Sequence, residues 1–183
     1  MIENRYVEYN LNSKTYAINK IKIVKEKNLL KVYDEIKALT LYLDIEKVRF
    51  NDDFNYEIFA DSNVDVDNIK IPSMFLQPFV ENAVKHGLLH QTEEKKLKIH
   101  FERVADQIKI SNDDNGIGRK KSLELNQIKN NKHQSFATNA MQNRVNLLNQ
   151  FTQKNISIEY IDKQNQNNQS LGTTVVFVIP IIY

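Results

Sequence analysis

The chain has 183 residues, a net charge of +2 and 26% charged residues. This length suits one domain with an additional element, and the near-neutral charge gives no electrostatic basis for binding nucleic acid. The absence of cysteine excludes disulfides, thiolate catalysis and cysteine-ligated zinc. No apolar run reaches the roughly 18 residues of a membrane span and no signal peptide opens the chain, so we expect a cytoplasmic setting.

The first third of the chain predicts a helix followed by a strand. Residues 1–27 are rich in Lys and Asn, and the segment YAINKIKIVKEK is compatible with either a strand or a helix. From Leu29 to Phe50 there is no Pro or Gly, and apolar residues recur at helical spacing: Leu29, Val32, Ile36, Leu39, Leu43 and Val48. We expect this helix to pack within the chain, with packing on a partner as the alternative. The alternation in FNYEIFA then predicts a half-buried strand, and the acidic stretch DSNVDVDN predicts a loop.

The remaining pattern alternates between helices and strands. A second helix is predicted to begin near Pro72–Ser73, with a kink or a broken first turn at Pro78. The segments KLKIHF and QIKIS flank a turn at Ala105–Asp106 and predict an antiparallel pair. Residues 119–136 predict a loop with at most a short helix, and residues 138–151 predict a helix. Two last strands, ISIEYI and TTVVFVIP, flank the low-complexity loop DKQNQNNQS.

This order of elements predicts an α/β (α+β) two-layer sandwich. A mixed, largely antiparallel sheet would be covered on one face by helices, leaving the other face partly solvated. We divide the chain into an N-terminal segment and helix, residues 1–50, that lead into a domain, residues 51–183.

The segment PFVENAVKHG, residues 78–87, gathers polar residues on one face of a helix. Glu81 lies under Lys85 and Asn82 under His86 at i,i+4 spacing, while apolar residues occupy the opposite face. A solvated face with one Glu–Lys pair is the alternative to a binding site. His86 and His90 share the same spacing, but no third ligand is evident, so the sequence does not indicate a metal site built from histidines.

Two glycine-containing segments follow. In NDDNGIGRK, Asp114 ends the strand QIKIS, and Gly116 and Gly118 allow the backbone to approach a ligand closely. In LGTTVVFVIP, Gly172 and Thr173 open a strand of β-branched residues. Taken alone, each segment is explained by an ordinary turn, and only their joint order with the polar helix indicates a site.

Together these segments resemble a known family. IPSMFLQPFVENAVKHGL resembles the N box of bacterial sensor histidine kinases, in particular the subfamily of autolysin-regulating sensors. DDNGIG resembles that family's G1 box, LGTTVVFVIP its last glycine-threonine strand, and LYLDIEKVRF the segment that precedes its ATP-binding domain. The resemblance covers roughly residues 32–181 and implies the fold of the GHKL group of ATPases and kinases, with ATP and Mg²⁺ bound between the helices and a mobile lid.

The resemblance also implies roles for individual residues. Asn82 would supply a side-chain oxygen to Mg²⁺, and Lys85 and His86 would lie beside the phosphates. Glu81 would act as general base on the attacking nucleophile, and Asp114 would accept a hydrogen bond from the adenine amino group. Gly116 and Gly118 would let the backbone pass close to the nucleotide. Thr173 would place a hydroxyl near the adenine.

Two departures from the family pattern qualify these roles. The glycine-rich lid box corresponds here to HQSFATNAMQNRV, residues 133–145, where Ser135 and Ala137 replace the expected glycines. Asn139, Asn143 and Arg144 could compensate with side chains. In addition, no histidine precedes His86, so we expect this chain not to phosphorylate itself in the family's usual manner.

The resemblance therefore predicts a histidine kinase catalytic domain that acts on a separate histidine-containing acceptor-helix domain, which passes the phosphoryl group to a response regulator. It implies an isolated chain that is monomeric or weakly dimeric, and a membrane-associated homodimer at the cytoplasmic face if the chain is part of a longer sensor. The alternatives are a non-catalytic GHKL interaction module, in the manner of a degenerate kinase, and a serine kinase resembling the anti-sigma-factor kinases.

Overall fold

The computed structural model describes residues 29–51, 53–128, 145, 146, 149 and 156–183, with only the backbone for residues 126–128. The strands in these ranges are β1 Leu29–Lys31, β2 Phe54–Ala60, β3 Lys70–Pro72, β4 Lys95–Val104, β5 Gln107–Asp114, β6 Ser157–Gln164 and β7 Ser170–Pro180. The helices are α1 Val32–Arg49, α2 Gln77–Asn82 and α3 Arg119–Ile128. A π-helical turn, Ala83–Gly87, and a 3₁₀ turn, Leu88–His90, continue from α2.

Five of the strands form one mixed sheet in the order β2-β4-β5-β7-β6. Strands β2 and β4 pair in parallel, whereas the other three pairings are antiparallel. The predicted pair around Ala105–Asp106 is β4 and β5, and the two last strands pair as β6 and β7. The predicted fold class, a mixed and largely antiparallel sheet with helices, is therefore confirmed.

The core lies between one face of this sheet and the helices. Phe177 of β7 packs edge-on against two rings from the α2 region, with centroid distances of 4.7 Å to Phe79 and 5.5 Å to Phe75. Such edge-to-face pairs add to the free energy gained from apolar burial. These aromatic contacts hold the α2 region against β7.

Helix α1 belongs to the same core, as the helical spacing predicts. Val32, Leu39 and Leu43 are fully buried in it. Two details of the prediction are wrong. Leu29–Lys31 form a strand that pairs with β3 instead of a helical turn, and Val48 is 72% exposed.

The second helix begins later than predicted. Pro72 ends β3, where it pairs with Leu29, and α2 begins at Gln77 with Pro78 in its first turn. Proline is favourable there because the first backbone N–H groups of a helix have no partner inside it, so Pro78 stands at the helix start and not inside the helix as predicted. The buried Glu35 of α1 holds the preceding turn, because its carboxylate accepts the backbone N–H groups of Met74 and Leu76, both at 3.2 Å.

The predictions for other segments are met in part or lie outside the described residues. Residues 119–128 form helix α3, which the sequence indicated only as a possible short helix. The proposed lid stretch, residues 133–145, lies outside the described residues except for Val145, and so does the segment 1–27. The helix predicted over 138–151 is described only at residues 145, 146 and 149, all helical. None of the described helices has both the length and the hydropathy that a bilayer span requires.

Candidate functional site

A cleft of about 630 Å³ opens between the α2 region and the strands β5, β6 and β7. This volume lies in the range typical of small-molecule and cofactor sites, roughly 300–1,000 Å³. The residues that line it are Phe79, Asn82, Ala83, His86, Gly87, Asn112, Asp114, Gly118, Arg119, Lys120, Ser122, Leu123, Tyr160, Asp162, Thr173 and Val175.

Helix α2 and its π-helical turn form one wall of the cleft. Asn82 and His86 line the cleft, while Val80, Val84 and Leu88 are buried in the core. A π-helical turn changes the rotation of successive side chains about the helix axis, and such turns occur frequently at functional sites. The predicted division into a polar and an apolar face is met in part, because Ala83 and Gly87 of the predicted apolar face also line the cleft.

His86 is half-buried near two basic residues, Lys85 and His90. Burial, and then the charges of Lys85 and His90, lower the pKa of His86 below its usual value of 6.5. Its imidazole is therefore neutral at pH 7 and can donate an N–H, but it does not supply a full positive charge.

Glu81 and Lys85 do not line the cleft. They pair with each other at 2.7 Å, as their i,i+4 spacing predicts, and Glu81 also accepts a hydrogen bond from Gln77 at 3.0 Å. The charge of Glu81 also contributes, after burial and Glu46, to the raised pKa of Tyr42 on α1.

Asp114 is the buried acid at the opposite wall of the cleft. It is the last residue of β5, is 5% exposed, and accepts the backbone N–H of Gly116 at 2.8 Å. Burial raises the pKa of Asp114 to about 6, although the Gly116 N–H, Lys163 and the Thr173 N–H act in the opposite direction. A desolvated carboxyl group in the wall of a cleft is suited to binding a ligand's amino group.

The loop after Asp114 packs against the π-helical turn at Gly116. A Cβ on Gly116 would lie 2.5 Å from the carbonyl carbon of Gly87, so the two backbones are in direct contact. Ile117 donates its N–H to the Gly87 oxygen at 3.2 Å. Gly116 therefore lies behind the cleft surface, where it joins the two walls.

Two further glycines adopt positive φ angles beside the cleft. Gly118 has φ +77°, and a Cβ there would lie 2.0 Å from Oγ of Ser170. Gly172 has φ +112°, and a Cβ there would lie 1.9 Å from the backbone oxygen of Asp114. Any L side chain would be both strained and obstructed at these positions.

The sequence reasoning missed the residues that close the far end of the cleft. Arg119 donates to both carboxylate oxygens of Asp162 at 2.7 Å, and its guanidinium lies 4.8 Å from the centre of the Tyr160 ring. Tyr160 could have been anticipated, because the alternation in ISIEYI assigns it to the inward face with Ile158. The Arg119–Asp162 pair spans 43 positions and gives no local signal.

Asn112 was also missed. It is 1% exposed, lines the cleft, and has neither Nδ2 nor Oδ1 hydrogen-bonded to any residue that the structure describes. The signal was available: the buried positions of β5 alternate, so Asn112 occupies an inward position in line with Ile108 and Ile110.

The structure thus brings five of the eight predicted site residues to one cleft: Asn82, His86, Asp114, Gly118 and Thr173. Gly116 lies immediately behind it, and Glu81 and Lys85 lie beside it without lining it. Residues from three separate sequence segments therefore meet, as the joint order of the segments predicts.

The mixed sheet, its helical layer and this cleft define a class: the fold is that of histidine kinase catalytic domains. The catalytic domain of histidine kinase ThkA in a nucleotide-free form aligns with a TM-score of 0.54 at 14% identity, covering 83% of this chain and 93% of that domain. No protein-family model matches the chain.

Sensor proteins and sensor histidine kinases are among the sequence relatives. Sensor protein LytS of Oceanobacillus iheyensis is 29% identical over 167 residues, which cover 87% of this chain and 26% of LytS. A sensor-like histidine kinase of Staphylococcus epidermidis is 34% identical over 89 residues, which cover 49% of this chain and 17% of that protein. The chain spans about a quarter or less of the length of these relatives. The predicted resemblance to the ATP-binding catalytic domain of autolysin-type sensor histidine kinases is therefore confirmed.

Proposed function

We propose that this chain is the ATP-binding catalytic domain of a sensor histidine kinase. It would hold Mg-ATP in the cleft and position the γ-phosphoryl group for transfer to a histidine on a separate acceptor-helix domain. That domain would then pass the phosphoryl group to a response regulator. The observation that carries the proposal is that Asn82 and Asp114, from two separate motifs, line the same cleft of a histidine-kinase fold.

The chemistry of the cleft fits a nucleotide. The buried Asp114 carboxyl can accept a hydrogen bond from an adenine amino group, and Thr173, next to it on β7, adds a hydroxyl. The aromatic rings of Phe79 and Tyr160 in the lining supply apolar surface for a base. We assign the adenine to this end of the cleft.

The other end fits phosphates with a divalent cation. Among the residues that the structure describes, no three His, Asp or Glu side chains cluster as a complete metal site. Mg²⁺ commonly takes one or two protein oxygens together with phosphate oxygens and water, so the single amide oxygen of Asn82 is a sufficient protein ligand. When bound, Mg²⁺ would offset phosphate charge, while His86 would donate an N–H to a phosphate oxygen.

Glu81 and Lys85 would act at the edge of the cleft, where an acceptor histidine must approach. The Glu81 carboxylate would orient the acceptor imidazole and polarise it as general base, and Lys85 would exchange its pairing with Glu81 for a phosphate oxygen. The lid residues 133–145 and Gly118 remain proposed contacts of the bound nucleotide.

A non-catalytic nucleotide-binding module is the second candidate. The observation that favours it is that Glu81 and Lys85 pair with each other at 2.7 Å and that neither lines the cleft. The two candidates differ in phosphoryl transfer and agree on binding. A serine kinase of the anti-sigma-factor type is distinguished by its product, because phosphoserine is stable in acid and phosphohistidine is not.

Binding is tested by calorimetric titration of the full chain with a non-hydrolysable ATP analogue, with and without Mg²⁺. Wild type should bind in a Mg²⁺-dependent manner, and Asn82→Ala should lose about tenfold or more in affinity in the presence of Mg²⁺ but little in its absence. Asn68→Ala, in the exposed loop before β3, is the matched control. No binding by wild type, or equal Mg²⁺-dependent binding by Asn82→Ala, would overturn the proposal.

Transfer is tested by incubating the chain with γ-labelled ATP and a separately purified acceptor-helix domain of a LytS-type relative. Acid-labile label on that domain supports the kinase. Binding without any transfer supports the non-catalytic module, and acid-stable label supports a serine kinase.

A further inference from the structure

We propose that Asn112 is a second base-reading residue, whose side-chain amide hydrogen-bonds a ring nitrogen of the adenine beside Asp114. The inference rests on the proposed function, since it requires that the cleft bind ATP. It assigns specificity to a position outside the three motifs from which that function was derived.

The position of Asn112 explains why no residue that the structure describes pairs with its amide. On one side in the sheet its register partner is Ile99 of β4, and on the other it is Val175 of β7. Both neighbours on the inward face are therefore aliphatic and offer no hydrogen-bonding group. Residue 112 nevertheless lines the cleft, so it lies beside the space that a bound ligand would occupy.

An unpaired amide at this depth is unusual. The great majority of buried side-chain polar atoms in proteins are hydrogen-bonded, and leaving one unpaired costs folding free energy. Neither the amide nitrogen nor the amide oxygen of Asn112 has a partner in the described ranges 29–51, 53–128 and 156–183. A ligand that enters the cleft and satisfies this amide gains an interaction without having to displace a protein partner.

The chemistry of the pair Asn112 and Asp114 matches adenine. The two side chains project from the same face of β5, two residues apart. A carboxylate only accepts hydrogen bonds, whereas an amide can also donate them. Adenine presents an amino donor next to ring-nitrogen acceptors, so Asp114 can accept from the amino group while Asn112 donates to an adjacent ring nitrogen. A 6-oxo purine would instead direct its oxygen at the carboxylate.

The test compares wild type with Asn112→Val, which resembles the neighbouring Val175 and carries no polar atom. Ser111→Ala, on the opposite face of β5, is the matched control. The ligands are Mg-ATP, its 1-deaza, 3-deaza and 7-deaza analogues, and magnesium tripolyphosphate, which has no base. Affinities are measured by calorimetry, and the melting temperature of each ligand-free variant is measured alongside.

The expected result has three parts. Asn112→Val without ligand melts no lower than wild type, since it removes an unpaired buried amide. It binds Mg-ATP about tenfold or more weakly, as is typical for loss of one good base contact, while tripolyphosphate affinity is unchanged. One of the three deaza analogues should bind wild type more weakly than ATP does, because it lacks the ring nitrogen that Asn112 contacts. For that analogue, Asn112→Val should cause no further loss of affinity, and this result identifies the nitrogen.

Two results would overturn the inference. One is wild-type affinity of Asn112→Val for Mg-ATP, and the other is an equal loss for ATP, all deaza analogues and tripolyphosphate, which would indicate a structural role. If Asn112→Val fails to fold, Asn112→Ser, which cannot reach as far, is measured against the same ligands and must give the same pattern. Failure of the proposed function is separate, because there wild type itself would not bind Mg-ATP.

Discussion

Gly116 and Gly87 are in backbone contact, and this contact joins the two walls of the cleft. A Cβ on Gly116 would lie 2.5 Å from the Gly87 carbonyl carbon and 2.6 Å from its Cα. The Ile117 N–H donates to the Gly87 oxygen across the same junction. The helix that carries Asn82 is therefore held at a fixed distance from the strand end that carries Asp114, and a nucleotide would find both groups already in position.

Substitution of Gly116 should damage both the fold and the site. The Cβ in Gly116→Ala meets backbone atoms, which cannot rotate away, so the loop and the π-helical turn must separate. We expect a loss of about 1–3 kcal/mol in the free energy of unfolding, as for other overpacked substitutions, and at least tenfold weaker ATP binding. Urea denaturation and calorimetry measure the two effects.

Gly87→Ala provides an internal comparison for this prediction. Its nearest obstruction is Oδ1 of Asp114 at 3.1 Å, a side-chain atom that can shift slightly. Gly87→Ala should therefore destabilise the fold less than Gly116→Ala does. The reverse order would mean that the backbone contact does not set the spacing of the walls.

Asp114 should make the free energy of unfolding fall as the pH rises. Its pKa is raised to about 6 in the folded chain, from an ordinary value of 3.8. Between these two values the folded state binds more protons than the unfolded state, so the contribution of Asp114 is greatest below pH 3.8 and is lost as the pH rises through about 6. Asp114→Asn removes this dependence, since its amide stays neutral. The stability advantage of the variant should grow by about 2 kcal/mol between pH 4.5 and pH 7.5.

The same substitution should weaken nucleotide binding. At pH 7.5 the carboxylate is a stronger acceptor for an amino group than the amide that replaces it, so Asp114→Asn should bind ATP more weakly although it is more stable. Paired urea titrations at the two pH values and one calorimetric titration measure both effects. A stability difference that does not change with pH would contradict the raised pKa, and unchanged ATP affinity would contradict the assignment of Asp114 to the base.

Glu35 should contribute to stability through the turn that precedes α2. It is 1% exposed, and its carboxylate accepts two backbone N–H groups, from Met74 and Leu76. Glu35→Ala leaves these donors without that acceptor and opens a small cavity, so we expect a loss of about 3 kcal/mol in the free energy of unfolding. Chemical denaturation measures it.

Glu57→Ala is the control for this substitution. Glu57 lies on β2 with a side chain that is 72% exposed, and its salt bridge to Lys98 is long, at 3.6 Å. Its removal should change stability by no more than about 0.5 kcal/mol. Similar small effects for both glutamates would indicate that the turn before α2 does not depend on Glu35.

Periodicity predicted the elements better than it predicted their ends. The apolar spacing of α1 correctly placed Val32, Leu39 and Leu43 in the core. It could not reveal that Glu35 is buried on the same helix, because its partners are backbone groups about 40 positions away. The helix start near Pro72 was wrong because proline suits a strand end as well as a first helical turn, and the pairing with Leu29 decided between them.

The site was predictable where motifs or strand alternation indicated it, and not where it depends on contacts between elements far apart in the chain. The order of the three motifs predicted that Asn82, Asp114 and Thr173 meet at one site, and all three line the cleft. Asn112 required attention to strand alternation, which identifies a polar residue at an inward position even without a motif. The salt bridge between Arg119 and Asp162 depends on the packing of α3 beside β6, which no local sequence pattern predicts.

Glu81→Gln should separate phosphoryl transfer from nucleotide binding. The amide keeps the shape of the side chain but loses the negative charge that would polarise an acceptor histidine, so transfer to a separate acceptor-helix domain should slow by about 100-fold or more. ATP affinity should stay equal or rise, because Lys85 loses its 2.7 Å partner and becomes free to meet a phosphate. Single-turnover transfer with γ-labelled ATP measures the rate, with Glu57→Gln as the control for an exposed charge. A transfer rate equal to that of wild type would mean that Glu81 has no role as general base. Lower ATP affinity would mean that its ion pair with Lys85 supports the cleft wall.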